Sequence, residues 1–321
     1  MNLATRYLGL TLRSPLIVGA SPLCDEVDMA RRMQDVGAGA VVMRSLFEEQ
    51  LAVPSSLFAA TDETLPPFPD YADYQISPDG YLRQLEQLKQ SLSIPVIASL
   101  NGHQRGVWSE FAPRLERAGA DAIELNFYQV VTDTALPPDR VETEMLATVR
   151  AIVAAVKIPV SVKLSPFHSS VAQLAVALEL EGAAGVVLFN RFYQPDVDTE
   201  TLEVRPVLRL SDPGELLLRL RWLAILSPQL RGSLGASGGV HSASDVVKSM
   251  LTGAHAVQLV SVLLRHGPHV LTTLRKGLEL WMQEHGFESP AEFRGRLDLS
   301  RCKNPAAFER ANYICVLQSR G

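Results

Sequence analysis

Polar and charged side chains stand directly after several apolar segments of this chain, where they could contact a ligand. The segment DAIELNFYQVV (121–131) ends with Asn126, Tyr128 and Gln129 close together. Lys163 lies inside VSVKLS, and a long cation in an apolar strand costs free energy unless an anion or an electron-rich ligand receives it. The two interpretations of Lys163 are therefore a structural ion pair and a ligand contact.

Amides and glycines at the ends of other apolar segments indicate which kind of ligand the site would bind. Asn126 and Asn190 could present their amides to one planar ligand that carries alternating donors and acceptors, or each could cap the loop that follows it. In GASGGVHSASD, Gly238 and Gly239 precede a helical stretch, and Ser261 follows the apolar segment AVQLV. Exposed backbone N–H groups at such places favour phosphate, so the pattern predicts a phosphorylated ligand.

A weak internal repeat predicts the elements that hold these side chains. Four segments place small residues before an apolar strand, and four more begin with Pro or a turn signal. The eight predicted strands are SPLIVGAS (14–21), VGAGAVVM (36–43), IPVIASL (94–100), AGADAIEL (118–125), IPVSVKLS (158–165), EGAAGVVL (181–188), GSLGASGG (232–239) and TGAHAVQL (252–259). Apolar residues recur at helical spacing around 25–35, 81–92, 107–118, 142–156, 169–181, 214–227, 242–251 and 268–284. The alternation predicts an α/β fold, a single (βα)8 TIM barrel with its site where the strands end.

Composition excludes several classes of protein. The chain has 321 residues, and a hydrophobic content of 47% supports a sizeable core rather than global disorder. A net charge of −5 and no cluster of basic and aromatic residues argue against nucleic acid as a partner. The three cysteines have neither disulfide nor zinc spacing, so we expect no metal and a reducing, cytoplasmic location. No apolar stretch is long enough for a membrane span.

Three segments fall outside the regular alternation. Residues 46–80, after the second strand, and 191–212, after the sixth, are too long to be simple connections. The first carries seven acidic residues and no Lys or Arg, and we interpret it either as a solvated excursion or dimer contact, or as a lid. We expect residues 1–298 to form the barrel and 299–321 to form a C-terminal extension. The extension has two interpretations: it packs on the barrel, or it crosses the barrel and brings Tyr313 near the site.

The order and spacing of LIVGASPL, VVMRS, IELNF, VSVKLSP, VVLFNR, GASGGV and AVQLVS resemble those of class 1 dihydroorotate dehydrogenases. The similarity runs from about residue 3 to residue 285. It implies a barrel that binds flavin mononucleotide (FMN), takes part in pyrimidine biosynthesis and transfers hydride between a small-molecule substrate and flavin N5. It also suggests a homodimer.

The resemblance assigns ligand contacts position by position. It implies that Ala20 and Ser21 pass beside the isoalloxazine ring, that Lys163 contacts the polar edge of the flavin, and that the glycines and serine of the seventh and eighth strand ends hold the phosphate. The implied cofactor-binding residues are Ala20, Ser21, Arg44, Asn126, Lys163, Gly238, Gly239 and Ser261. The implied substrate-binding residues are Arg44, Asn126 and Asn190. Arg44 stands where the family usually has Lys, which keeps the charge but changes the hydrogen-bond geometry.

The catalytic positions depart from the family pattern. The family supplies Cys or Ser as the base that removes the C5 proton of dihydroorotate, and Gln129 occupies that position here. An amide cannot act as a general base, because such a base needs a pKa near the working pH. Val131 replaces another expected Asn, and PFPDYADY replaces a segment that should carry a further one. Gln129 and Lys163 are therefore the catalytic positions by resemblance, with altered proton chemistry.

We expect an FMN-dependent oxidoreductase that resembles dihydroorotate dehydrogenase and has an altered base, with two substrates left open: dihydroorotate, or another small planar amide-rich or carboxylate compound. The residues that could replace the base are Tyr128, His103, His168 and Tyr313, each of which also has an ordinary surface or packing interpretation. Two alternatives stay open: a flavin-binding paralogue without turnover, and a non-redox lyase that uses Lys163 as a Schiff-base amine. Cys24 is interpreted as a buried small hydrophobic residue.

Overall fold

Eight parallel strands form a closed ring in the computed structural model, which describes residues 1–52, 76–102, 105–191, 194–309, 313 and 317–318. The ring strands are β1 (Leu16–Val18), β2 (Ala40–Val42), β3 (Val96–Gly102), β4 (Ala122–Phe127), β5 (Val160–Leu164), β6 (Gly185–Leu188), β7 (Ser233–Ser237) and β8 (Ala256–Leu259). Each strand pairs with the next, and β8 pairs with β1 through Val257 opposite Leu16. The predicted (βα)8 barrel is confirmed. Each predicted strand overlaps one ring strand, and β3 and β4 run two residues past their predicted ends.

Eight helices surround the ring. They are α1 (Val27–Asp35), α2 (Pro78–Ser91), α3 (Arg105–Arg117), α4 (Pro138–Ala155), α5 (Val171–Leu180), α6 (Leu216–Leu226), α7 (Ala243–Leu251) and α8 (Val270–Glu284). Ser77 and Ser170 cap α2 and α5 by accepting hydrogen bonds from Gly80 N and Gln173 N. Ser242 caps α7 together with Asp245 in a capping box. These local signals fix where the helices begin relative to the strand ends.

Shorter elements fill the connections. Short helices span Glu48–Ala52, Ser261–His266 and Pro290–Phe293, and 3₁₀ turns span Pro22–Cys24, Pro213–Glu215 and Pro305–Phe308. Leu46–Phe47 adds two strand residues beside β3. An antiparallel hairpin (Asp196–Asp198 with Glu203–Arg205) lies in the long segment after β6. None of these short strands was predicted, because a segment of two or three residues is too short to show a periodic pattern of apolar residues.

An antiparallel hairpin closes the amino end of the barrel. Its strands, Thr5–Tyr7 and Leu10–Leu12, join through Leu8 and Gly9, both with positive φ. Tyr7 and Leu12 pack against Ile17 and other small apolar side chains inside the ring. The hairpin occupies this end, and the cavity described below lies at the carboxyl ends of the strands.

Residues beyond α8 pack on the outside of the barrel. Phe293 is fully buried and makes an edge contact with Trp281, with ring centroids 5.0 Å apart. The backbone N–H of Leu297 donates to Leu251 O, and that of Leu299 donates to Ala224 O. Among the described helices, none is both long and apolar enough to cross a membrane.

Candidate functional site

A cavity of about 620 Å³ opens at the carboxyl ends of the ring strands. All eight strand ends contribute to it. The lining residues used below are Ala20, Ser21, Arg44, Ser45, Phe47, Asn101, Asn126, Tyr128, Lys163, Asn190, Arg191, Leu208, Arg209, Ser211, Gly238, Gly239, Gln258 and Ser261. The volume lies in the range of cavities that hold a cofactor or a small-molecule ligand.

The structure brings together most residues selected from the sequence. Every predicted cofactor-binding and substrate-binding position lines the cavity. Gln129 is half-buried and is not among the described lining residues, although Tyr128 is. His168 and Tyr313 also do not line the cavity, and His103 lies outside the described residues. Of the three substitute bases that the structure describes, Tyr128 is the one that lines the cavity, and the functional roles of all four residues stay predictions.

Lys163 forms a buried ion pair at the centre of the barrel. Its Nζ lies 2.9 Å from Glu124 Oε1, and the two side chains are only 7% and 1% exposed. The other carboxylate oxygen, Glu124 Oε2, accepts a hydrogen bond from Gln258 Nε2. The structural interpretation of Lys163 is thus present, yet Lys163 also lines the cavity. The ion pair explains why a lysine occurs in this strand without requiring a Schiff-base role.

Sequence reasoning did not single out Glu124 or Gln258. Both lie within otherwise apolar ring strands, IELNF and AVQL, as Lys163 does in VSVKL. The argument that selected Lys163, a polar group that needs a partner inside an apolar strand, would have selected these two as well. The signal was available from the sequence.

Two buried amide oxygens at the cavity have no hydrogen-bond partner among the residues that the structure describes. The Asn126 Nδ2 group donates to Ser45 Oγ at 3.0 Å and to Ser99 Oγ at 3.1 Å, which leaves Asn126 Oδ1 unpaired. Gln258 uses its Nε2 on Glu124, which leaves Gln258 Oε1 unpaired. An unsatisfied buried acceptor costs about 1–3 kcal/mol. A ligand with N–H or O–H donors would remove this cost at both positions.

Arg44 is held at the edge of the cavity by Asp25. Its guanidinium forms an ion pair with that carboxylate, and its buried Nε has no partner. Burial raises the pKa of Asp25, and the Arg44 charge opposes the rise. Gln84 Nε2 donates to Asp25 O at 2.7 Å and so fixes the loop that carries this carboxylate. Asp25, which does not line the cavity, thus holds Arg44 in place, and the Nε of Arg44 remains available to bind an anion.

The loop that carries Asp25 also holds Cys24, which is fully buried. Burial raises the pKa of the Cys24 thiol to about 12. A thiol with so high a pKa is protonated at neutral pH and is a poor nucleophile. Cys24 behaves as a small hydrophobic residue in this loop.

The corner around β7 and β8 is shaped by two glycines. Gly238 and Gly239 have φ values of +88° and +80°, and a Cβ on Gly239 would lie 2.4 Å from the backbone N of Leu216. The N–H of Gly239 donates to Ser211 Oγ at 3.3 Å, and Ser211 N donates to Ser261 Oγ at 2.9 Å. Ser211 was not selected from the sequence, because nothing in the long segment after β6 shows that it folds back onto this corner.

The described lining of the cavity is cationic. Arg44, Lys163, Arg191 and Arg209 line it, and the described lining includes no Asp or Glu. Each cation pairs with a carboxylate set behind it. The pairs are Arg44 with Asp25, Lys163 with Glu124, Arg191 with Glu215 and Arg209 with Asp196. Such an arrangement favours an anionic ligand, because the cations face the cavity and their partners do not.

The fold and cavity define a barrel protein with a ligand site at the carboxyl ends of its strands, the place where barrel enzymes carry their chemistry. The sequence model of the dihydroorotate dehydrogenase family matches residues 77–282, more than half of the chain. The chain therefore belongs to the dihydroorotate dehydrogenase family.

Similar curated proteins carry related names. A putative dihydroorotate dehydrogenase A (fumarate) of Aeropyrum pernix is 32% identical over 219 residues, which cover 66% of this chain and 71% of that protein. The catalytic subunit of dihydroorotate dehydrogenase B (NAD(+)) of Pyrococcus furiosus is 27% identical over 310 residues, 92% of this chain and 98% of that protein. The NAD-dependent dihydropyrimidine dehydrogenase subunit PreA of Escherichia coli K12 is 23% identical over 317 residues, 92% of this chain and 76% of that protein. The relatives are dehydrogenases that differ in substrate.

Proposed function

We propose that the chain is an FMN-dependent oxidoreductase that exchanges hydride with a small, planar, anionic substrate other than dihydroorotate. The observation that carries this proposal is the polar set at the base of the cavity, formed by Lys163, Glu124 and Gln258. One edge of a flavin ring alternates N–H donors and carbonyl acceptors. The unpaired Gln258 Oε1 and the remaining hydrogens of the Lys163 ammonium are complementary to such an edge.

The glycine corner supports the phosphate end of the cofactor. Gly238, Gly239, Ser211 and Ser261 would hold it, since they supply backbone N–H groups and hydroxyls where side chains other than glycine would collide. Arg191 and Arg209 add positive charge to the same cavity. The residues present therefore fit FMN at both its polar ring edge and its phosphate.

Bound FMN would supply hydride acceptance or donation, and the protein would supply binding and proton transfer. Asn126 would orient the substrate through Oδ1, which the two serines leave free, and Asn190 would add a second amide. Arg44 would bind an anionic group of the substrate. The wall that carries Arg44 also presents Phe47, so it suits a planar anion with an apolar face.

Proton transfer is assigned to Tyr128 in this proposal. Gln129 cannot exchange a proton near neutral pH, and Tyr128 is the neighbouring residue that lines the cavity. A phenol donates a proton more readily than it removes one from carbon. Tyr128 would therefore suit protonation of the carbon beside a carbonyl when a C=C bond conjugated to that carbonyl is reduced, with the hydride supplied by FMN when it is bound.

The visible absorption spectrum of freshly purified protein is the first test. We expect a flavin spectrum, with FMN released on denaturation, and colourless protein that fails to take up added FMN would contradict the proposal. A second assay follows flavin bleaching by dihydroorotate and re-oxidation by a panel of unsaturated carboxylates. We expect slow bleaching by dihydroorotate and fast re-oxidation by at least one carboxylate.

A flavin-binding protein without turnover is the second candidate. It is favoured by Gln129 and Val131, which replace two residues of the family's substrate chemistry. This candidate predicts yellow protein that no compound in the panel re-oxidises faster than it re-oxidises free reduced FMN. The same pair of measurements therefore separates the two candidates.

A further inference from the structure

Glu124 joins side chains from three ring strands at the barrel axis. It lies on β4, its Oε1 accepts from Lys163 on β5, and its Oε2 accepts from Gln258 on β8. Glu124 is 1% exposed and does not line the cavity, whereas both of its partners do. The carboxylate therefore stands directly behind two groups that face the ligand.

Stability does not account for this arrangement. A buried ion pair recovers its desolvation cost only with good geometry, and apolar side chains of similar volume are often as stabilising. The neighbouring ring interior is apolar, with Ile17, Val42 and Ile97 packed together. An apolar trio would continue that packing, so the charged trio calls for another explanation.

The contacts of Glu124 fix the direction of both partners. Because Gln258 Nε2 donates to the carboxylate, its Oε1 is left as an unpaired acceptor. Because one hydrogen of the Lys163 ammonium goes to Glu124, the ammonium presents its other hydrogens from a position set by that bond. Gly19 leaves the space for this geometry, since a Cβ there would lie 3.4 Å from Gln258 Cβ and 2.8 Å from Val260 Cγ2.

We propose that Glu124 is a positioning residue that holds Lys163 and Gln258 against the ring edge of the cofactor and sets the reduction potential of the bound flavin through its charge. The inference rests on the proposed function, because it takes FMN as the ligand of this cavity. Reduction adds negative charge to a flavin ring. An ammonium beside the ring favours the reduced form, and the carboxylate behind the ammonium offsets that effect.

The test compares two carboxylates that each pair with a lysine. Glu124→Gln removes the charge at the axis but keeps an acceptor for Lys163. Asp121→Asn is the matched control, because Asp121 pairs with Lys89 at 2.6 Å near the amino end of β4, away from the cavity. In the FMN-loaded proteins we expect Glu124→Gln to favour flavin reduction at least tenfold, a rise of about 30 mV for a two-electron couple. Asp121→Asn should leave the potential unchanged.

A conservative variant tests positioning separately from charge. Glu124→Asp keeps the charge but shortens the side chain by one methylene, so it cannot reach both partners. We expect FMN to bind at least tenfold more weakly, measured by quenching of flavin fluorescence, with a potential close to that of the unaltered protein. This measurement also keeps the inference testable if Glu124→Gln fails to fold.

The outcomes separate the inference from the function on which it rests. Failure of the unaltered protein to bind FMN contradicts the proposed function. If the unaltered protein binds FMN, an unchanged potential in Glu124→Gln, or an unchanged FMN affinity in Glu124→Asp, overturns the role of Glu124.

Discussion

The polar side chains at the two ends of the barrel differ in whether they have hydrogen-bond partners. Near the amino end, Asp121 accepts from Lys89 and from Val96 N, and His255 Nδ1 accepts from Leu234 N. At the carboxyl end, Asn126 Oδ1, Gln258 Oε1 and Arg44 Nε are buried without a partner. The first two groups are thus hydrogen-bonded within the protein, although the buried hydroxyl of Tyr7 at the same end has no partner among the described residues. The three unpaired atoms at the carboxyl end belong to residues that line the cavity, so a bound ligand is positioned to pair with them.

The largest expected effect comes from breaking the central ion pair. Lys163→Met leaves the buried Glu124 carboxyl without its cation, and we expect a loss of about 3–5 kcal/mol in the free energy of unfolding, measured by urea denaturation. Lys89→Met is the control at the amino end, where the partly exposed pair with Asp121 should contribute at most about 1 kcal/mol. Equal losses in the two variants would contradict the contrast between the ends.

The amino end should dominate the pH dependence of stability in mildly acidic solution. Burial lowers the pKa of His255 to about 4, against 6.5 in an unfolded chain. Because the unfolded state takes up the proton more readily, stability is complete above pH 6.5 and is lost as the pH falls towards 4, by about 3 kcal/mol in total. Urea denaturation between pH 7 and pH 4.5 measures this loss. His255→Gln should flatten the profile, whereas replacement of the exposed His266 by Gln should leave its slope intact.

A matched pair of glycine substitutions sharpens the comparison through ligand binding. Gly239→Ala places a Cβ 2.4 Å from Leu216 N, at the corner proposed to bind phosphate, and we expect FMN affinity to fall by about 10- to 100-fold. Gly9→Ala has nearly the same positive φ, +79°, but meets no atom within 4 Å. It should cost about 1 kcal/mol of stability and leave FMN affinity unchanged. Fluorescence titration with FMN distinguishes the two outcomes.

The smallest expected effect is a gain of activity at the strand-four end. Gln129→Cys restores the side chain that the family uses as a base, and we expect flavin bleaching by dihydroorotate to become about tenfold faster, a fraction of the 10²- to 10⁴-fold that general base catalysis contributes. Val130→Cys places the same thiol on the next, exposed residue and is the control. A rate that rises equally in both variants, or in neither, would show that position 129 does not reach the substrate.

Sequence periodicity was sufficient for the ring and its helices, because each strand and helix carries its own pattern. It misplaced the limits of the ring strands: the predicted strand 14–21 contains only Leu16–Val18 as regular strand, whereas β3 and β4 continue two residues beyond their predicted ends. The flanking residues turn towards the cavity, as Ala20 and Ser21 do, and apolar composition alone does not reveal that turn. Strand limits depend on pairing, which a single sequence does not show.

The site was predictable where a residue ends a strand and unpredictable where a contact joins distant segments. Asn126, Lys163 and Ser261 followed from strand-end positions. The bond between Ser211 and Ser261 joins residues 50 positions apart through a segment without periodicity. The contact of Glu124 with Gln258 spans 134 positions and depends on both side chains pointing into the ring, which only the pairing register decides.

The hairpin beneath the barrel has a consequence for the last two ring strands. Leu8 N donates to Ser233 Oγ at the start of β7, and Thr5 Oγ1 donates to His255 O just before β8. These bonds join segments 225 and 250 positions apart. The hairpin therefore anchors, from the opposite side of the barrel, the same two strands whose far ends form the glycine corner.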